Sequence, residues 1–182
     1  MRTLTTTAIA LATVVMTIGV RGRVAGTPST EAVPLVAAQN GAAVFQRLAG
    51  EWRGEGTLMD RSARFDMRWD LRGRFAMLTF ANAFVDATGR TTPVLESAAI
   101  YRTSSDAPEA VWLDSRGERI EITWMATDST LIADWTAPTE AGRTTYRIVS
   151  AEGLEVVDEV MRDGSLVTFA TARYERATGD PR

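Results

Sequence analysis

Histidine, cysteine and lysine are all missing from this 182-residue chain, and that absence decides most of the chemistry it can attempt. There is no Ser-His-Asp or Cys-His nucleophile, no Schiff-base amine and no thiolate. A tetrahedral zinc or iron–sulfur site would lack its imidazole and thiolate ligands, so neither a metal nor a cofactor is expected. Disulfides are excluded too, which leaves stability to the core. The remaining acid–base vocabulary is Asp, Glu, Tyr, Ser, Thr and Arg.

Within that vocabulary Asp158 is the most informative residue. Leu154, Val156, Asp158 and Val160 share one face of their segment, while Glu155, Val157 and Glu159 share the other. The first face is the more apolar, so parity turns Asp158 inward. A buried carboxylate needs a partner or a raised pKa, which makes it a member of a structural ion pair or a contact for a ligand. Trp112 and Asp114 also share a face, at a strand end. They read either as an aromatic wall beside a hydrogen-bonding acid or as an aspartate that starts the turn at Ser115-Arg116-Gly117. Trp69, Trp124, Trp135 and Tyr146 fall on apolar faces, as core filling or as pocket lining. The expected ligand contacts are therefore Asp158, Trp69, Trp112, Asp114, Trp124, Trp135 and Tyr146, with no residue singled out as catalytic.

These residues need strands to position them. Residues 63–71 (Ala-Arg-Phe-Asp-Met-Arg-Trp-Asp-Leu) alternate apolar and charged without interruption, the pattern of a strand with one buried and one wet face. Similar segments lie near 51–59, 74–84, 94–103, 109–115, 120–126, 131–135, 144–148, 154–160 and 166–175. Short turn signals such as Asp86-Ala87-Thr88-Gly89, Glu152-Gly153 and Asp163-Gly164 separate them. The expectation is an all-β fold: one antiparallel up-and-down barrel of about ten strands, closed because closure removes exposed edges. Ahead of it, Val44, Phe45 and Leu48 suggest a short helical turn within Gly41–Leu48. Gly54 and Gly56, inside a strand, suggest a bulge or sharp bend. Arg64, Asp66, Arg68 and Asp70 read as a solvated face of charge pairs.

The first forty residues differ in kind. Met1-Arg2 precedes an uncharged apolar run from Leu4 to Val20, and Val36-Ala37-Ala38 offers a small-residue cleavage pattern before Gln39. Residues 1–22 are expected to form a signal peptide and 23–40 a linker containing the cleavage site, with the barrel over 41–178. This predicts export to a periplasmic or extracellular space, with no stable membrane anchor after cleavage; the alternatives are an uncleaved anchor and a true start at Met16. Formal charge is −3, and cutting after Ala38 leaves 17 arginines against 22 acids, or −5. Acids and arginines alternate along the chain, which argues against nucleic acid as a partner. The oligomeric state is left open.

The run Gly50-Glu51-Trp52-Arg53-Gly54-Glu55-Gly56 resembles the opening of calycin-type barrels. Lipocalins begin their first strand with Gly-x-Trp after a helical turn, and the longer run resembles the start of nitrobindin-type barrels of ten strands. The resemblance implies structural roles for Gly50 and Trp52, with Trp52 closing the barrel floor under a late-strand arginine, Arg173, or its rival Arg176. Nitrobindin-type barrels hold heme through a histidine, and this chain has none, so heme does not carry over. The expected function is non-enzymatic binding of a small apolar or amphipathic molecule inside the barrel. Two alternatives stay open: acid–base catalysis by Asp158 or Asp114 with a Tyr and an Arg, and a packed barrel serving as an interaction module. An empty apolar cavity favours the first, a raised carboxylate pKa beside a Tyr the second, and a filled interior with an apolar outer patch the third.

Overall fold

The computed structural model describes residues 41–104 and 108–177. One helix, α1 (Gly41–Leu48), is followed by ten strands. These are β1 (Gly50–Leu58), β2 (Arg61–Arg72), β3 (Phe75–Val85), β4 (Thr91–Arg102) and β5 (Glu109–Asp114), then β6 (Arg119–Ala126), β7 (Thr130–Thr136), β8 (Ala141–Ile148), β9 (Gly153–Arg162) and β10 (Ser165–Arg176). Each strand pairs antiparallel with its chain neighbours, and β10 returns to β1 through seven residue pairs, Trp52–Arg176 to Leu58–Ala170. The expected ten-strand meander is therefore a closed barrel with no free edge. The leader and the linker lie outside the described residues.

Alternation does what the sequence pattern demands. Ala63, Phe65, Met67 and Trp69 are buried on β2, while Arg64, Asp66 and Arg68 between them are exposed. The outer charges pair across strands, Arg68 with Glu51 at 3.2 Å and Arg64 with Glu55 at 3.3 Å. Exposed pairs of this kind contribute little beyond solubility.

The two ends of the barrel differ. α1 lies against one end and buries Val44, Phe45 and Leu48 completely, the three residues that its 3.6-residue period places on one face. Phe45 reaches the rings of Trp69, Tyr101 and Trp124 at centroid distances of 5.8, 5.6 and 5.2 Å. This aromatic group is the plug. Hairpins after the odd-numbered strands surround the other end, which no helix among the described residues covers.

Register is regular through Gly54 and Gly56, so the expected bulge is not there. Both glycines instead allow close packing: a Cβ on Gly54 would sit 2.6 Å from the Tyr174 ring, and one on Gly56 would strike the β10 backbone at Thr171. The irregularities fall elsewhere. The β3–β4 register skips Val94, and the β9–β10 register skips Phe169, both toward the open end.

Candidate functional site

Above the aromatic plug the barrel is hollow. A cavity of about 250 Å³ opens toward the hairpin end, and all ten strands contribute to its wall, β1 through Leu58. Phe65 and Met67 come from β2, Phe80 and Asn82 from β3, and Tyr101 from β4. Trp112, Ile122 and Trp135 come from β5, β6 and β7. Thr144 and Tyr146 on β8, Asp158 on β9 and Tyr174 on β10 complete the opposite wall. The skipped residues Val94 and Phe169 add apolar surface near the mouth, where Arg116 and Glu140 supply the charges.

Asp158 lies inside this cavity, as parity predicts. Asp158 lies opposite Thr144 on β8 in regular register and opposite Ala170 on β10, next to the bulge at Phe169, which adds its extra residue to β10 and leaves the alternation of β9 intact. The Thr144 hydroxyl donates to Asp158 Oδ1 at 2.6 Å. No ion pair reaches Asp158 among the described residues. The side chain is half-buried by surface area, yet what exposure it has faces the cavity, so its surroundings are protein. Burial raises its pKa to about 6, against the lowering effect of the Thr144 hydrogen bond. Burial also pushes the hydroxyls of Tyr101, Tyr146 and Tyr174 well above their ordinary range, and the Asp158 carboxylate adds to the effect. All three tyrosines stay protonated near neutral pH. Asn82 contributes another polar group, since its buried Oδ1 has no hydrogen-bond partner.

The other expected contacts divide. Trp112, Trp135 and Tyr146 line the cavity with Asp158. Trp69 and Trp124 do not: they belong to the plug, where Trp69 Nε1 meets Met67 Sδ at 3.3 Å and Trp124 Nε1 is buried without a partner. They are core residues because Phe45 from α1 occupies the space in front of them. Asp114 is not a cavity contact either. Its carboxylate is buried and accepts from the backbone N–H groups of Arg116 (2.9 Å) and Glu118 (3.2 Å) and from the Arg116 guanidinium (2.6 Å). Burial works to raise its pKa, but these hydrogen bonds win and hold it below the usual carboxylate value. Asp114 organises the β5–β6 turn.

At the floor, Trp52 is 1% exposed, donates from Nε1 to the Leu48 carbonyl at 2.7 Å and is covered by an arginine. That arginine is Arg176, whose guanidinium lies 4.2 Å from the ring centroid. Arg173 is ruled out for the role: it points outward, 88% exposed, toward Glu155 at 3.3 Å. The physical reason is register. Arg176 is the direct cross-strand partner of Trp52 and shares the inward face with Ala170, Ala172 and Tyr174. Arg176 also donates to the carbonyls of Ala49 (2.6 Å) and Arg47 (2.9 Å), tying α1 to the barrel. Gly50, with φ of +115°, leaves the room this requires, because a Cβ there would lie 2.8 Å from Arg176 Nη1.

Sequence reasoning passed over Tyr101, Tyr174, Thr144 and Asn82 as contacts. The signal for the two tyrosines was present in parity, since Tyr101 follows Ala99 and Tyr174 follows Ala170 and Ala172 on buried faces.

No protein-family model matches the chain, and no curated protein matches it. Among solved structures it is similar to the S-type phycobiliprotein lyase CPES from Guillardia theta, at 11% identity and a TM-score of 0.52. That match covers 80% of this chain and 99% of the lyase. A second similar chain is EF1p2_mFAP2b bound to DFHBI, at 15% identity and a TM-score of 0.41, covering 74% of this chain and 98% of the other. At such identity the lyase match shows a shared barrel fold and nothing finer.

Proposed function

We propose that this barrel binds a small apolar or amphipathic molecule in its interior without transforming it, and that it does so after export and removal of residues before Gln39. The observation that carries the reading is the hollow itself. An aromatic, largely apolar cavity with a few convergent polar groups is the usual form of a small-molecule site. An engineered apolar cavity of about 150 Å³ admits benzene, so the roughly 250 Å³ here suits one ring with a short chain. The hollow also weighs against the packed-barrel module. Ten strands and the position of Trp52 support the nitrobindin-type reading of Gly50–Gly56 as architecture, without heme.

Calorimetric titration with 4-ethylphenol, a neutral amphipath of suitable size, tests the reading. Binding is expected in the wild type and is expected to be lost in Ala133→Phe, which fills the cavity from its β7 wall. Absence of binding to the wild type, or equal binding by the filled variant, refutes it.

One observation favours acid–base chemistry as a second reading: a carboxyl with a pKa near neutrality beside protonated tyrosines. In it Asp158 would abstract a proton and a tyrosine hydroxyl would donate to the developing oxyanion. This chemistry also calls for an arginine, and the one in the cavity lining, Arg116, is paired with Asp114. Binding therefore ranks first.

A further inference from the structure

Asp158 Oδ1 takes one hydrogen bond from Thr144, and Oδ2 has no partner among the described residues. Among the described residues the one cation in the cavity wall is Arg116, at the mouth, and its Nη2 and Nε sit 2.6 and 3.1 Å from Asp114 Oδ2. The interior thus holds a carboxylate with no counter-ion among the described residues, in a cavity that Tyr101, Tyr146, Tyr174, Trp112 and Trp135 also line. A buried charge is costly unless it is paired.

We propose that the natural occupant of this cavity is an organic cation, an ammonium group on an aromatic or compact aliphatic body, with the ammonium donating to Asp158. This deepens the binding reading and rests on it. Each competing ligand class leaves something unsatisfied. A hydrocarbon leaves the carboxylate dry and unpaired. An anion is repelled by it. A neutral alcohol donates one hydrogen bond but supplies no charge. An ammonium donates, neutralises and also gains attraction from the aromatic faces around it. Asn82 Oδ1, unpartnered on the β3 wall, is a further acceptor suited to a donor-rich ligand. At the mouth Arg116 is paired with Asp114 and Glu140 with Arg162, so the entrance carries no net positive barrier.

The test compares three ligands of one shape on the full barrel by titration calorimetry at pH 7.5: phenethylammonium, 2-phenylethanol and phenylacetate. The ammonium is expected to bind at least about tenfold more tightly than the alcohol, the size of one charge-assisted hydrogen bond, and phenylacetate not to bind. Asp158→Asn should abolish that preference while keeping the alcohol. Lowering the pH through 6 offers a second measurement that needs no variant. The ammonium should weaken as Asp158 protonates, and the alcohol should not. Other titratable groups facing Asp158 are Tyr101, Tyr146 and Tyr174, which stay neutral throughout, and the lining charges Arg116 and Glu140 lie at the mouth. If the alcohol binds as well as the ammonium, or phenylacetate binds best, the cation assignment falls and the cavity reading stands. If none of the three binds, both fall.

Discussion

Replacing Asp158 by Asn removes a charge while keeping shape and the acceptor that Thr144 needs, so it isolates what ionisation costs the fold. The Asp158 pKa is raised in the folded protein from 3.8 to about 6. Below pH 4 the carboxyl is protonated both folded and unfolded and contributes no pH-dependent term. Between pH 4 and 6 the unfolded chain releases its proton first, so stability falls as pH rises, and above 6 the full penalty is present. Roughly two pKa units at about 1.36 kcal/mol each give a ceiling of about 3 kcal/mol. Because the side chain is only half-buried by surface area, screening reduces the penalty below that ceiling, to about 1 kcal/mol at the least. Urea denaturation of both proteins from pH 4 to 8, followed by tryptophan emission, reads the difference directly because every other titrating group cancels. Asp158→Asn should gain 1–3 kcal/mol relative to wild type across that window, on the order given by these limits. A stability gap that does not change with pH, or a variant that loses stability at neutral pH, would show that the ionised carboxylate is satisfied in the fold. Asp158 would then be a structural residue and not a polar group held ready for a ligand.

Further outcomes concern the floor, the mouth and the leader. Trp52→Ala should cost about 3–5 kcal/mol, the range for a fully buried large aromatic. Arg176→Ala should be less than additive with it by at least about 0.5 kcal/mol, because the two share one contact; Arg173→Ala should stay within about 0.5 kcal/mol of wild type, and denaturation of the four variants checks all of this. Met59 and Asp60 form the β1–β2 turn with φ of 50° and 60°, a left-handed pair that favours Asn-Gly. The double substitution Met59→Asn, Asp60→Gly should therefore raise stability by about 1 kcal/mol, seen as a higher Tm; an unchanged or lower Tm counts against strain there. Intact mass of exported protein should correspond to a chain beginning near Gln39, and Met1 retained on a membrane fraction would favour an anchor.

The strand count, the helical turn and the inward direction of Asp158 were legible because each rests on local periodicity. A strand such as 63–71 repeats every two residues, and α1 concentrates Val44, Phe45 and Leu48 on one side. Arg176 was legible in principle as well, since counting inward from Ala170 and Ala172 through Tyr174 reaches 176 and never 173. Parity says which face a side chain is on, but not how far along the barrel it sits or what meets it there. Trp69, Trp124, Trp112 and Trp135 all point inward, yet two are plug and two are wall. The difference is Phe45, which enters from a helix distant in sequence from β6 and fills the space before Trp124.

The sequence by itself determined the container: an absence of His, Cys and Lys that removes most chemistries, and an alternation whose apolar face a short-turned meander buries by closing. Tertiary structure decided where the container is solid and where it is empty. It set Asp158 beside Thr144 with no cation, gave Asp114 to a turn and assigned Trp52 to Arg176. These outcomes depend on register between strands and on the depth at which α1 stops, and such long-range distances leave no periodic trace in a chain read one residue at a time.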